Sequence, residues 1–373
     1  MNKVLFVSNH KGFVKFNAPY MEWLMQNGWH VDDAGPGMEE AYKDSYNEHY
    51  DLDIVRNPFS LGNIRAIREM RKLLKSERYD LIHCHTPMGG VIARIASIGL
   101  RAKVLYTVHG YHFFKGAPIL NWLVYLPIEL LLKWNTDYLV TINNEDYAFA
   151  KKWNMAKKQV FNIKGVGFKN KFSKADINKK SQLRGEYGFT DNDFILLYTA
   201  QFIARKNHAF IIESLPEIVK AIPNVKLVLV GNGILLDEIK SLSSRLGVNR
   251  NVVFMGGRSD VEKFCQMADV YVSASFFEGL CISNLEAMAC GLPLVISDVR
   301  GQNDVCVDGR NGYLFRIGDK RKFVDSVISL SKDEGLRKQM SSTNLEEVKA
   351  FSLENSLNAM AKIYNQIFQE IGL

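Results

Sequence analysis

The sequence predicts an α/β protein with two doubly wound, Rossmann-like parallel sheets, and three observations carry that expectation. Short apolar, β-branched runs alternate with helix-period segments along almost the whole chain. The alternation breaks once, at residues 165–180 (GVGFKNKFSKADINKK), where glycine, lysine and polar residues replace it. A length of 373 residues suits two domains better than one, and 47% hydrophobic content supplies apolar material for two cores.

The elements follow in order. Lys3–Val7 reads as a buried strand, followed by a loop with Gly12, then a helical spacing from Ala18 to Gln26 that stops at Gly28. A β-branched signal follows near His30 and Val31. Residues Asn63–Lys75 are amphipathic: Ile64, Ile67, Met70 and Leu74 share one face, and Arg65, Arg68, Lys72 and Lys75 the other. Strand Asp80–Cys84, a helix from Gly89 to Ser97, strand Lys103–Val108, helix Ile119–Trp134, strand Tyr138–Ile142 and a helix from Asn144 complete the first half. The second half offers strands Ile195–Thr199, Val225–Val230, Val252–Met255, Val270–Ala274, Leu294–Ser297 and Tyr313–Phe315, with helices between them. Ser352–Ile371 has helical period and is expected to pack back across both domains. The expected division is therefore 1–168, a linker at 169–180, 181–351, and a terminal helix at 352–373 crossing back to the first domain.

Composition excludes several classes. The five cysteines (84, 265, 281, 290, 306) are scattered without CxxC spacing, which points to buried thiols in a reducing compartment. The opening MNKVLFVSNHKG enters a strand at once, so no signal peptide is expected. No apolar run reaches the 18 or so residues of a membrane span. Residues 1–175 hold 24 Lys+Arg against 16 Asp+Glu, a balance of +8, and the remainder holds 23 against 24. A basic first half suggests an anionic surface or substrate, and no nucleic-acid motif accompanies the charge.

Three polar features fall where strands should end, the place where open α/β sheets bind ligands. They are His109-Gly110, the pair Arg205-Lys206, and two carboxylates, Glu278 and Glu286, eight positions apart. Arg205-Lys206 at a helix start would combine two cations with exposed N–H groups, which suits a diphosphate. Ser283-x-x-Glu286 has the form of a capping box, so a helix is expected to begin at Ser283 and to stop at Gly291 before Pro293. A helix start facing a strand end is a seat for an anion. His83 and His85 alternate on a strand without a third metal ligand nearby, which favours structural or acceptor-side roles. Asp51-x-Asp53 reads as strand polarity. Gly231-x-Gly233 is a weak signal by itself.

Together the motifs Phe277-Glu278-Gly279-Leu280, Leu285-Glu286-Ala287-Met288-Ala289 and Gly291-Leu292-Pro293 resemble the E-x7-E signature of retaining glycosyltransferases of the GT-B fold, family 4. Gln201–His208 resembles the donor-phosphate element of that family, and Thr107-Val108-His109-Gly110 its histidine loop. Residues 83–87 (HCHTP), 109–118 and 141–147 look like the capsule and exopolysaccharide branch. The resemblance covers essentially the whole chain and implies two domains with a cleft between them. It implies that Glu286 holds the ribose hydroxyls and Glu278 the donor-sugar hydroxyls, while Arg205 and Lys206 hold the diphosphate. Backbone groups near Ser283, Asn284 and Leu285 would add to the phosphate seat, with Gly279, Leu280 and Cys281 lining the sugar. Arg258 lies where the family contacts the base, Gly12 where the first loop approaches the donor, and His109 where a side chain points at the sugar. Relatives often have a Gly-Gly pair at Gly12 and Gly or Pro at Cys281.

The resulting expectation is a cytoplasmic, retaining, metal-independent enzyme with no cofactor. It would move a sugar, by default an N-acetylhexosamine, from a UDP-sugar to a polyprenyl-diphosphate-linked saccharide. The apolar segment Ile119–Leu132 and the basic stripe of Arg65, Arg68, Lys72 and Lys75 suggest peripheral docking on an anionic membrane. Rivals are a nucleotide-sugar epimerase of the same fold and a non-catalytic partner protein. Glu286→Ala and Lys206→Ala are expected to abolish transfer and leave the fold nearly intact.

Overall fold

The computed structural model describes residues 2–168 and 171–373. The chain divides into two compact units, Met1–Val166 with Glu354–Leu373, and Gly167–Leu353.

In the first unit the strands are β1 (Lys3–Val7), β2 (His30–Gly35), β3 (Glu48–Asp51), β4 (Leu81–His85), β5 (Lys103–Val108), β6 (Tyr138–Thr141) and β7 (Gln159–Asn162). The helices are α1 (Val14–Gln26), α2 (Gly62–Glu77), α3 (Pro87–Ala96), α4 (Ile119–Leu132) and α5 (Asn144–Lys152). Every strand pair is parallel, in the order β3-β2-β1-β4-β5-β6-β7. Right-handed crossovers put α2 to α5 on one face and α1 on the other. The first face carries the core of Leu5, Val7, Met70, Ile82, Ile92, Val104 and Leu139. Strand order reverses between β1 and β4, so the loops after them, with Gly12 and His85, flank the topological switch point. Gly12 sits in a 3-10 turn, Lys11–Phe13, where a Cβ would meet only the His10 ring. Its position needs no special backbone.

The second unit has β8 (Phe194–Thr199), β9 (Val225–Val230), β10 (Val252–Gly256), β11 (Val270–Ser273), β12 (Leu294–Ser297) and β13 (Gly312–Phe315). They are parallel in the order β10-β9-β8-β11-β12-β13. Its helices are α6 (Ile177–Glu186), α7 (His208–Ala221), α8 (Leu236–Arg245), α9 (Val261–Met267), α10 (Ile282–Ala289), α11 (Lys320–Lys332) and α12 (Glu334–Glu347). The switch point here lies between β8 and β11, ahead of Arg205 and Glu278. The last helix, α13 (Leu353–Glu370), is part of the first unit from Glu354 onward. Its Phe368 stacks on Trp29 at 3.7 Å, and its Ser356 hydroxyl lies 2.7 Å from the Tyr20 hydroxyl on α1.

Several expectations change. Of the linker expected at 169–180, residues 169 and 170 lie outside the described residues, and its last four belong to α6. That helix starts early because Asp176 caps it, accepting the Lys179 N–H at 2.8 Å. Ile64, expected on the buried face of α2, is half exposed. Strands β3 and β7 were not expected, since EHYD and QVFN are short and polar-ended. Helix α10 starts at Ile282 with Cys281 as its N-cap and no side-chain cap bond, so the capping box does not form. The Ser283 hydroxyl instead accepts from Tyr271 at 2.8 Å. The stop of α10 is as expected. Gly291, at φ 74°, donates to Met288 O at 2.9 Å and Leu292 to Ala287 O at 3.0 Å, the paired bonds of a Schellman motif.

Candidate active site

In the second unit, Arg205 and Lys206 occupy a 3-10 turn, Ala204–Lys206, and not the start of a helix. Asn207 follows in the left-handed region at φ 50°, and α7 begins only at His208. The turn is fixed from both sides. Tyr198 on β8 donates its hydroxyl to Lys206 O at 2.7 Å, and Phe276 N–H donates to Arg205 O at 2.9 Å. Two glycines let the preceding loop in. A Cβ on Gly231 would lie 2.0 Å from Ala200 O, and one on Gly233 would lie 2.4 Å from Phe202 O. The Gly231-x-Gly233 pair is therefore a packing device for the segment that leads to Arg205.

Glu278 closes the arrangement. Its buried carboxylate takes Lys206 Nζ on Oε1 at 2.6 Å and Arg205 Nη1 on Oε2. Arg205 Nη1 also donates to Phe277 O at 3.2 Å. Burial pushes the Glu278 carboxyl up, and Lys206 and Arg205 more than reverse this, so it stays ionised below its ordinary range. Burial pulls Lys206 down, and nearby acidic groups, the Glu278 carboxylate among them, more than offset it, so Lys206 stands above its ordinary value. Two cations thus converge on one carboxylate at the switch-point end of the sheet. A diphosphate there would meet the same cations that Glu278 now holds.

The loop carrying Glu278 rests on residues that the sequence reading missed. Glu278 N–H donates to Arg300 O at 3.1 Å, and Arg300 Nε returns a bond to Glu278 O at 3.1 Å. Gly301 has φ 77°, and a Cβ there would lie 2.7 Å from the carbonyls of Glu278 and Gly279. Beneath, Gln302 donates to Ser297 Oγ at 2.6 Å, and Ser297 donates to Ser275 O at 2.6 Å. Applying the strand-end rule to β12 as well as to β8 and β11 would have pointed to Arg300-Gly301-Gln302.

The remaining expected residues fall as follows. Glu286 is half buried on the first turn and a half of α10. Leu280, Cys281, Asn284 and Leu285 are buried. Asn284 N–H already donates to Cys281 O at 3.1 Å, which removes it from the backbone groups expected to meet phosphate. Burial pushes the Cys281 thiol up, so it is a neutral neighbour and no nucleophile. Arg258 makes two bonds to Asp260, at 2.8 and 2.7 Å, and lies over the Tyr187 and Phe264 rings.

In the first unit, His109 leaves the end of β5 with its Nε2 3.1 Å from His85 Nδ1. Phe13, next to Gly12, meets the His109 ring edge-on at 4.7 Å. His83 is fully enclosed, with Nδ1 2.7 Å from the Tyr364 hydroxyl and Nε2 2.8 Å from Thr107 Oγ1. Burial holds His83 down at about 3 and His109 at about 4, and holds His85 well below its ordinary value with help from His83 and His109. All three rings are neutral near pH 7. Among the described residues no three His, Cys, Asp or Glu side chains form a metal-ligating group.

Comparison with known proteins gives this geometry its family. Residues 179–346 match the model of "Glycosyl transferases group 1", and residues 3–143 match "Glycosyl transferase 4-like". The chain is 37% identical over 371 residues to EpsD of Bacillus subtilis (strain 168), which bears a glycosyltransferase name, covering 97% of this chain and 96% of that one. It is 25% identical over 338 residues to the Escherichia coli UDP-Gal:alpha-D-GlcNAc-diphosphoundecaprenol alpha-1,3-galactosyltransferase, covering 89% and 87%. The crystal structure of Anabaena HepE in complex with UDP and glucose shares the fold, with a TM-score of 0.78 at 19% identity over 98% of this chain and 100% of that one. The two parallel sheets, the ordered motifs on them and these matches together mean that the chain belongs to the group 1, family 4-like glycosyltransferases of the GT-B fold.

Proposed function

We propose that this enzyme transfers a sugar from a UDP-sugar, with retention of anomeric configuration and without a metal, to a polyprenyl-diphosphate-linked saccharide. The observation that carries the reading is the buried Glu278 carboxylate shared by Arg205 and Lys206. Support for the donor and acceptor comes from the names of relatives, UDP with glucose for HepE and a diphosphoundecaprenol saccharide for the Escherichia coli enzyme.

In the proposed reaction the bond from the anomeric carbon to the β-phosphate oxygen breaks, and its electron pair leaves with the nucleoside diphosphate. Lys206 and Arg205 stabilise that growing charge, an effect worth about 3–4 kcal/mol per well-placed donor. Glu278, once the cations turn to phosphate, accepts hydrogen bonds from sugar hydroxyls. Glu286 takes the ribose hydroxyls, and Arg258 reaches the base. The acceptor hydroxyl oxygen bonds to the anomeric carbon on the face the phosphate leaves, and its proton passes to a departing phosphate oxygen. His109 hydrogen-bonds the substrate. A panel of UDP- and GDP-sugars with short lipid-linked acceptors, read by mass spectrometry and NMR in EDTA, tests this. Transfer from a UDP-sugar with retention is expected; inversion, or turnover of donor without any acceptor, would overturn it.

The acceptor is lipid-linked in this reading, and α4 is the surface proposed to meet its membrane. Leu120, Leu123, Pro127 and Leu131 on its outer side, and Trp134 in the 3-10 turn that follows, repeat every three or four residues, with Leu123 68%, Leu131 74% and Trp134 71% exposed. Lys133 ties this stripe to the end of α5, donating to Trp153 O at 3.1 Å beside the exposed Lys151 and Lys152. Apolar side chains ringed by lysines and two tryptophans suit an anionic lipid interface. No helix among the described residues is long and apolar enough to cross a membrane. Pelleting with anionic vesicles that weakens in salt and with Leu123→Ser/Leu131→Ser is expected.

A further inference from the structure

The His85-Thr86 segment is used by neither half of the proposed chemistry, yet it joins a strained backbone to an enclosed, half-paired imidazole. We propose that His85 is a positioning residue: it takes Nε2 of His109 in a rigid cage, so that His109 presents its other nitrogen, Nδ1, to substrate in a single tautomer. The inference rests on the reading of His109 as a substrate-binding group.

The contact itself is unusual. His85 is 1% exposed, and the one hydrogen bond of its ring among the described residues is the 3.1 Å contact from Nδ1 to His109 Nε2. Its Nε2 is buried without a partner. An unpaired buried ring nitrogen forfeits the hydrogen bond it had in water, a cost that an apolar residue of similar size would avoid. His83, two residues earlier, satisfies both nitrogens and is accounted for by structure alone. The same residue type on the same strand is thus fully paired where it packs and half paired where it touches His109.

Backbone strain sits at the same point. Thr86 has φ 61° and ψ 153°, a conformation that L residues rarely adopt. Its hydroxyl holds the geometry, accepting Asn9 N–H at 3.1 Å and donating to His85 O at 2.5 Å. Asn9 leads the loop that carries Phe13, whose ring packs on His109 at 4.7 Å and on His85 at 5.7 Å. Phe6 stacks along His85 at 5.9 Å and His83 lies 4.1 Å away, so the His85 ring is walled on several sides. The loops after β1, β4 and β5 are therefore locked together around one imidazole pair.

The chemistry then leaves few choices. With both rings neutral, the bond between them needs one N–H and one lone pair. The unpartnered, buried His85 Nε2 selects between the two arrangements: a bare lone pair there is tolerated better than an orphaned N–H, so His85 Nδ1–H donates to His109 Nε2, and His109 Nδ1 carries the proton it offers to substrate. Among the described residues that Nδ1 has no protein partner, and it is not a buried atom.

The test is ¹⁵N NMR of histidine-labelled full-length enzyme, with His109 assigned by difference from His109→Gln. One His109 tautomer is expected in the wild type. His85→Asn should preserve it, because the amide NH2 can donate to His109 Nε2 as His85 Nδ1–H does. His85→Leu should give the mixture of a free imidazole and lower kcat on the order of 10- to 100-fold, while His85→Asn keeps most of the rate. A mixed tautomer in the wild type overturns the inference, as does a His85→Leu enzyme with an unchanged spectrum and rate. So does equal damage from Asn and Leu. If the Leu variant does not fold, the wild-type and Asn spectra decide. Full transfer by His109→Gln would instead overturn the assignment of His109 to substrate, which the spectrum does not depend on.

Discussion

Lys206 and Arg205 share the buried Glu278 carboxylate, and this sets what a substitution at either one does. Lys206→Ala removes one of two cations from a buried carboxylate, so besides abolishing transfer it should destabilise the second unit by about 1–3 kcal/mol. Arg205 is more exposed, so Arg205→Ala should cost less stability for a comparable loss of rate. Urea denaturation of both variants beside their turnover checks the pair, and equal stability would show that Glu278 is held without Lys206. The residue types Arg205, Lys206, Glu278 and Glu286 could be read from their order along the chain. That Glu278 binds the cations directly could not be read, because the pairing spans more than seventy positions. Arg300, Gln302, Ser297 and Ser275 escaped notice although their partners lie only 5 to 22 positions away. Each is an ordinary polar residue whose partner is set only by the fold.

Among elements, α4 combines an outward apolar stripe with a buried charge. Glu129 accepts two parallel bonds from Arg94 of α3, at 2.8 and 2.9 Å, and the guanidinium lies over the Tyr106 ring at 4.2 Å. Gly90 makes room for that ring, since a Cβ there would lie 2.6 Å from it. Glu129→Leu would leave Arg94 enclosed and unpaired, a loss of about 3–5 kcal/mol, while Arg94→Met/Glu129→Leu should recover most of it. Chemical denaturation of the single and double variants reads the coupling. The partner of Glu129 lies 35 positions away and gave no local signal in the sequence. Long apolar strands and helices with strong periods were legible to within a residue or two, except that α1 starts at Val14, four residues before the expected Ala18. Short polar strands such as β3 and β7 were not, because their partners and not their residues make them strands. The start of α10 was misread because Ser283 found Tyr271 before it found its own backbone.

For the whole molecule, two units with separate cores should unfold as separable transitions, and the histidines offer a way to tell them apart. The first unit buries His83 and His109, held at about 3 and about 4, and His85, well below its ordinary value; the second buries His208 at about 3. Each binds a proton near pH 6.5 when unfolded and none when folded. Their stabilising effect is therefore full above about pH 6.5 and falls as pH drops, by about 1.4 kcal/mol per unit for each group. Calorimetry between pH 7 and 5 should show one transition falling about three times as steeply as the other. The helix α13 identifies which. Met360, Ile363, Tyr364, Ile367 and Phe368 are buried, and Tyr364 holds His83. At about 1.5–3 kcal/mol per side chain, removing residues 354–373 takes away roughly the 5–15 kcal/mol that keeps a domain folded. A chain ending at Leu353 should lose the pH-steep transition and keep the other near its original temperature. If both transitions survived, the helix would be an accessory to the first unit's core; if both vanished, the two units would fold as one.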